Sequence, residues 1–326
     1  MPRWLGTFVW LGIVALAGAT AAGYHGELSW ILDLAAHFRP HLAAISFIWL
    51  FLAIFQRRPF AAMACAALLA INAAPIIPYV TAQAQPADEA GSPLRVMTYN
   101  MHGRTTQRAA FLEFVHAEQP DVILLTEVPN YYDWLTDGLG ADYPHRIDGN
   151  SGRPHDLMVF SRWPVAGFQI DRNVDRALPV LAADLCEEGV KEPSQCVRLV
   201  GLHAAAPFGK AADMQDAQFA LAARLLADAP PGRAILAGDL NMTPWAPDFG
   251  RLIGVTGLRD TALGRSVTAT WMSRQPMVGL AIDHVLASPQ IGVRDYLVGP
   301  DLGSDHLPVI AGLVLPRTHS TVSPAE

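Results

Sequence analysis

A layered α/β domain behind an apolar N-terminal anchor is the fold class that this chain of 326 residues predicts. Two observations carry the prediction. From Leu94 onward, short apolar runs of strand length each end in a polar residue, with helix-period segments between some of them. That pattern suits sheets packed with helices. Ahead of Leu94, uncharged stretches dominate. The chain as a whole is 51% hydrophobic and 16% charged, so part of it is expected to lie out of water.

The N-terminal elements come first. Trp4 to Tyr24 is an uncharged run of 21 residues, long enough to cross a bilayer at 1.5 Å per residue. Pro40 to Phe55, bounded by Arg57 and Arg58, and Pro59 to about Val80 read as two further spans, three in all. Leu28 to Phe38 holds Asp33 and His37 among leucines and a tryptophan, which suits an interfacial helix. Arg3 and Arg57–Arg58 place their ends on the cytoplasmic side, with only Arg39 opposing them. Three spans then put the remainder outside the cytoplasm. The expectation is a multi-pass protein of a bacterial-type inner or plasma membrane with an extracytoplasmic domain. Ala19-Thr20-Ala21 and Ala82-Gln83-Ala84 offer small-x-small cleavage patterns, but the reading adopted is an uncleaved anchor over 1–80. Residues 81–94 lack a hydrophobic period and form a linker. A domain over 95–316 and a polar tail over 317–326 follow.

Within that domain LRVMTYN is a strand, and Ala109 to Ala117 carries helical spacing through Ala110, Phe111, Phe114 and Val115. Pro120-Asp121 turns the chain into the buried strand VILLTE. HDLMVFSRWPV and VAGFQI alternate like antiparallel strands joined at Trp163-Pro164. Cys186 and Cys196 bracket EEGVKEPSQ between the strand-like VLAADL and VRLVGLH, so a cross-strand disulfide fits an oxidising compartment. Ala211 to Asp228 is a helix with Met214, Phe219, Leu221, Leu225 and Leu226 on its apolar face. RAILAGDLN and LPVIAGL are again buried strands.

Seven blocks carry the polar residues: TYNMHG (Asn100, His102), LLTEV (Glu127), SRWP (Ser161 to Pro164), GLHAAAP (His203), AGDLN (Asp239, Asn241), AIDHVLAS (Asp283) and GSDHLPV (Asp305, His306). Most of these groups end an apolar run, where a strand presents them at a sheet rim. A carboxylate there is costly unless paired or bound to metal. Hard oxygen donors at Glu127, Asp305 and Asn100 suit Mg²⁺, with Mn²⁺ as the alternative ion, and a phosphate-bearing substrate. No nucleotide-cradling glycine loop and no serine or cysteine nucleophile motif accompanies them, so a covalent intermediate is not expected.

These blocks, with GDLN and SDHLP about 65 residues apart and in that order, resemble the endonuclease/exonuclease/phosphatase superfamily over Leu94 to Leu315. The resemblance implies a four-layer sandwich of two mainly antiparallel sheets flanked by helices, with the site at one edge. It implies Glu127 as principal metal ligand, with Asn100 and Asp305 beside it. Asp239 would position or activate water, Asn241 would orient a phosphate oxygen, and His203 would contact the scissile phosphate. Asp283 is expected to orient a histidine, and His306 to serve as base or charge stabiliser. Which group acts as base stays open. His102 departs from the acid or asparagine of some relatives. His155 and Asp156 are candidates for specificity and Arg153 and Arg162 for phosphate neutralisation, while His284 points away from Asp283 and reads as structural.

The layout of spans ahead of the domain, with GDLN-x-TPW and TATW…IDHVLAS, resembles the membrane-bound branch typified by glycopeptide-resistance proteins, some of which act on undecaprenyl pyrophosphate. The expected partners are therefore a lipid bilayer and a phosphorylated, lipid-linked substrate. An extracytoplasmic nuclease and an inactive membrane-bound binding module are the alternatives. The net charge of −7 and only two lysines, Lys191 and Lys210, disfavour a nucleic-acid backbone. Nothing in the sequence sets an oligomeric state.

Overall fold

A computed structural model describes residues 3–83, 91–103, 107–149, 152, 156–190, 192–275 and 277–317. His155 and Arg153, both singled out above, lie outside the described residues, as do half of the linker (84–90) and all but the first residue of the polar tail.

The N-terminal quarter is a packed group of helices: α1 (Arg3–Tyr24), α2 (Trp30–His37), α3 (Arg39–Phe55), α4 (Pro59–Ala73) and the short α5 (Ile77–Thr81). Val9, Ile13, Leu16, Ala53, Ala61, Cys65 and Leu68 form its core. The expectation of three membrane spans is corrected here. Among the described residues, only the stretch Gly6–Tyr24 within α1 is long and apolar enough to cross a bilayer by itself. The pair α2 and α3 passes that test only as a unit bent by 64°, and α4 is 15 residues long. The reasons are local. Arg57 takes a left-handed backbone (φ 57°) and ends the apolar run after Phe55, while Pro75 and Pro78 lack the N–H groups that would carry α4 onward to Val80. With one such helix, or two if the bent pair is a single span, in place of three, the parity argument for a multi-pass, extracytoplasmic topology loses its basis.

The rest is a sandwich of two mixed sheets. One holds β1 (Ser92–Asn100), β2 (Val122–Thr126), β3 (His145–Asp148), β4 (Leu157–Ser161), β11 (Gly292–Val298) and β12 (Val309–Leu315), in the order β11-β12-β1-β2-β4-β3. The other holds β5 (Val165–Asp171), β6 (Val180–Leu185), β7 (Val197–His203), β8 (Ala234–Asp239), β9 (Arg259–Asp260) and β10 (Asp283–Ala287), in the order β5-β6-β7-β8-β10-β9. All pairings are antiparallel except β1 with β2 and β7 with β8. Inward residues such as Val96, Leu124, Val159, Leu199, Ile235, Val285 and Ala311 form the central core. The outer face of the first sheet packs on α6 (Arg108–Glu118) and α7 (Asp133–Leu139) through Tyr99, Phe111, Val115 and Leu135. The outer face of the second packs on α8 (Lys210–Ala227) and α9 (Pro247–Thr256) through Leu202, Phe219, Leu225 and Phe249. Four layers result, as the resemblance implied.

One pairing expected from alternation does not form. β4 pairs with β2 and β3, whereas β5 pairs with β6 in the opposite sheet. β4 is buried on both faces, so its alternation is not that of an exposed hairpin. The turn after it, where the Ser161 Oγ accepts from the Trp163 N–H, carries the chain across the sandwich. Cys186 and Cys196 form the expected disulfide, closing the connection between β6 and β7.

Candidate active site

Strand register gathers the polar residues. Asn100 ends β1 opposite Thr126, the last residue of its parallel neighbour β2, and Glu127 follows. His203 ends β7 opposite Asp239 at the end of the parallel β8, and Asp283 starts β10 opposite Asp239 on the other side. His306 precedes β12, and Trp271 bridges to it. Each strand therefore delivers its last or first side chain to the same rim. β8 reaches it by close approach to β7: a Cβ at Gly238 (φ 138°) would lie 1.9 Å from the Leu202 carbonyl oxygen.

Asn100 stands at the centre. Its Nδ2 donates to Glu127 Oε1 at 3.0 Å and to Asp239 Oδ2 at 2.9 Å, while its Oδ1 accepts from the His102 N–H. As oriented, Asn100 positions two carboxylates and turns its amide nitrogen, rather than its oxygen, toward them. His203 Nε2 lies 3.7 Å from Glu127 Oε1 and 3.5 Å from Asp239 Oδ2. Asn241 Nδ2 donates to the Ala204 carbonyl at 2.8 Å and sits 3.2 Å from His203 Nε2. His306 Nδ1 is 2.8 Å from Asp283 Oδ2, and its Nε2 is 3.6 Å from Asp239 Oδ2. Asp283 thus orients His306, as its expected role requires.

Electrostatics reinforce the pairing. Burial, with the nearby Asp283 charge, pushes the Asp239 carboxyl up to about 7, against the pull of His306 and the Asn100 amide. Burial alone would lower His306, but the Asp283 and Asp239 charges outweigh it and raise the imidazole to about 10. Both shifts favour the protonated form, on His306 through its two carboxylate neighbours and on Asp239 through burial.

The expected alternation of Asp239 and Asn241 along one strand face does not occur. β8 ends at Asp239, and Asn241 reaches the site through a left-handed turn (φ 50°) in which its N–H donates to Asp239 Oδ1. Glu127 (φ 49°) and His102 (φ 50°) share that conformation. Three non-glycine residues in a sparsely populated region at one rim are a mark of a functional constraint.

The site opens into a cavity of about 590 Å³ lined by His102, Glu127, His203, Asp239, Asn241, Asp305 and His306 at one end and by apolar side chains elsewhere. Asp305 contacts His102 Nδ1 at 2.9 Å and accepts from the Trp271 indole N–H at 3.2 Å. Asp239, Asp283 and His306 place ligand atoms within 4.8 Å of one another. That cluster is the tightest, but Asp283 and His306 are already bonded to each other and buried, so it reads as an orienting relay. Glu127 and Asp305 keep exposed carboxylate surface toward the cavity, 19% and 39% of their side chains. Three carboxylates (Glu127, Asp239, Asp305) face this cavity, and among the described residues no lysine or arginine lines it. An anionic substrate could not settle there without a cation, so the donor set fits a divalent ion.

Other candidates fall elsewhere. Asp156 is buried against Arg172 at 3.0 Å, and Arg162 lies over the Tyr143 ring and bonds Gln119 Oε1. His284 is structural, as expected, with Nε2 against the Met242 carbonyl. Sequence reasoning missed Trp271, although it lies in the TATW block. It also missed Ser304, whose Oγ donates to the Asn100 carbonyl, and α2, whose Leu34 and His37 line the cavity with the neighbouring Phe38. Asp33 and His37, four apart on an apolar helix, were the visible signal for α2. Their side chains are buried, and His37 faces the catalytic domain rather than a membrane surface.

The sequence profile of the Endonuclease/Exonuclease/phosphatase family matches residues 97–306. A search of curated protein sequences returns no match. Among solved structures, the chain resembles an endonuclease/exonuclease/phosphatase from Beutenbergia cavernae (23% identity, TM-score 0.56, 69% of this chain and 72% of that one). It also resembles the human Nocturnin catalytic domain with bound sulfate (19%, TM-score 0.57, 71% and 96%). Sphingomyelinase C from Streptomyces griseocarneus is similar as well (21%, TM-score 0.50, 68% and 99%). At these identities the likeness concerns the fold.

Proposed function

The chain belongs to the Endonuclease/Exonuclease/phosphatase family of metal-dependent phosphoester hydrolases, and on that premise we propose that it hydrolyses a lipid-linked phosphate ester or pyrophosphate while anchored to a membrane. One observation carries the substrate class. The cavity has a carboxylate and imidazole pole at one end and an apolar remainder that includes Leu178, Pro207, Phe208, Leu280 and Ile282. A phosphoryl group on an apolar chain matches both ends. A nucleic-acid backbone would look for lysine or arginine, and among the described residues none lines the cavity.

Membrane association is supported by α1 and by an exposed apolar belt on the N-terminal helices that includes Phe8, Trp10, Phe47, Phe51, Phe55 and Phe60. The extracytoplasmic placement is supported by the Cys186–Cys196 disulfide, which persists where thiols are oxidised.

Mg²⁺, with Mn²⁺ as alternative, would be held by Glu127 and Asp305, with Asn100 fixing Glu127 against Asp239. When bound, such an ion polarises a phosphoryl oxygen and offsets charge on the substrate. Asp239 takes the proton of the attacking water, for which burial and the nearby Asp283 charge prepare it by raising its affinity for a proton. His306, held by Asp283, and His203, beside Asn241, balance negative charge growing on phosphorus. The leaving oxygen departs on the opposite side of the phosphorus from the water.

The test is a panel assay on purified full-length protein in nanodiscs. A polyprenyl pyrophosphate, a phospholipid and single-stranded DNA are compared with Mg²⁺ and with EDTA. Metal-dependent turnover of a lipid-borne phosphate, lost in Glu127→Gln, is expected. Cleavage of DNA alone would overturn the substrate class.

A further inference from the structure

Helix α2 lies outside the stretch 97–306 that the family profile matches, yet Leu34, His37 and the following Phe38 line the catalytic cavity together with Glu127, His203 and Asp239. Its attachment is specific. The Trp245 indole N–H donates to the His37 carbonyl at 2.9 Å, and the Thr243 N–H donates to His37 Nδ1 at 3.2 Å. Because Nδ1 accepts, the ring proton is on Nε2, which faces Asp33 Oδ2 at 3.2 Å. Ala36 is fully buried in the core shared with α8 and α9. Thr243 and Trp245 follow directly on the GDLN turn that carries Asp239 and Asn241.

Pro207 and Phe208, in the loop after His203, line the same cavity. Phe38 and Phe208 are 40% and 53% exposed, so two large apolar rings that line the cavity stay partly open to solvent. Leu34, one helical turn before Phe38, is half-buried and lines the cavity as well. The cavity is also fixed relative to α1. Arg39 donates to the Gly23 carbonyl at 3.1 Å and lies over the Tyr24 ring at 3.9 Å, which ties the foot of α2 and α3 to the end of the one helix able to span a bilayer.

We propose that Leu34 and Phe38 are specificity-determining residues, forming with Phe208 an apolar slot that takes the hydrocarbon chain next to the scissile phosphate. The N-terminal helices are then part of the substrate site and not only a tether. His37 is a positioning residue that holds the slot in register with Asp239. The inference rests on the hydrolase reading above and adds to it the residues that recognise the chain. Exposed rings lining a cavity lose apolar area to water, and a chain lying between them would remove it.

The test uses full-length protein in nanodiscs and a series of alkyl p-nitrophenyl phosphates from ethyl to dodecyl, assayed with Mg²⁺ or Mn²⁺. In the wild type, kcat/KM is expected to rise with chain length. In Leu34→Ala/Phe38→Ala the dodecyl-to-ethyl ratio of kcat/KM should fall by about tenfold or more, chiefly through KM, the scale of losing one large apolar contact. Phe38→Leu, which keeps an apolar wall, should retain most of the preference. Melting temperature of each variant reports folding. A chain-length preference unchanged in the double variant, or absent in the wild type while turnover persists, overturns the slot. Loss of all members in equal proportion would make α2 a structural support and overturn it as well. Absence of metal-dependent turnover of any member would instead bring down the hydrolase reading, and the slot with it.

Discussion

The catalytic rim and the N-terminal helices meet at one cavity, but they are built on opposite principles. At the rim, buried strands fix the position of each polar residue through register, so that Asn100, His203, Asp239 and Asp283 have no freedom to lie elsewhere. In the helices, sites of termination decide the outcome, and those depend on single residues such as Arg57 and Pro75. The difference teaches that a site dispersed through sequence can be more strongly specified than a contiguous hydrophobic run.

The sharpest way to break the comparison is at the rim. Glu127→Gln keeps the shape of the side chain but removes a carboxylate that Asn100 holds against the cavity; kcat is expected to fall by about 10³-fold or more with little change in melting temperature. Asp283→Asn should come next. The amide can no longer accept from His306 Nδ1 in the same way, and a fall in kcat of about 10²–10⁴-fold is expected at unchanged substrate affinity.

Smaller effects sharpen the same contrast in stability. Burial raises Asp239 from 3.8 to about 7, so the folded state holds its proton more tightly than the unfolded chain. His306 is raised from 6.5 to about 10, again favouring the protonated form on folding. Both signs agree: in EDTA the protein should lose stability as pH rises through these windows, first about 4 to 7 and then about 6.5 to 10. Melting curves across pH check this, and Asp239→Asn should flatten the first window while abolishing turnover. Reducing the Cys186–Cys196 bridge, which closes a loop with sequence separation 10, should cost about 2–3 kcal/mol in denaturant titration. At the helix boundary, His37→Leu leaves the Thr243 N–H buried without its acceptor, for about 1–3 kcal/mol. Its effect should show as easier proteolysis of the N-terminal unit, with the sandwich intact.

The same contrast explains what the sequence disclosed. Polar residues at the ends of apolar runs were legible because a buried strand leaves them one place to go; a layered α/β fold followed from them, and the four layers from the family resemblance. The helices over Ala109–Ala117 and Ala211–Asp228 were legible from their apolar faces and appear as α6 and α8. Asn241 lies beside Asp239 and His203 by a different geometry from the one expected, since strand periodicity carries no sign of a left-handed turn after Asp239. Three spans were inferred from hydropathy, which does not register where a helix stops. The docking of His37 onto Thr243 joins residues 206 positions apart, and nothing local in the sequence announces such a contact.

One measurement bears most directly on the claim that the rim is a divalent-ion hydrolase site. Full-length protein in nanodiscs is stripped with EDTA, assayed on a p-nitrophenyl phosphodiester, and assayed again after Mg²⁺ is restored, beside Glu127→Gln. Activity that vanishes and returns in the wild type, and is missing throughout in the variant, is the expected result. Turnover that survives EDTA, or that Glu127→Gln retains, would contradict the account.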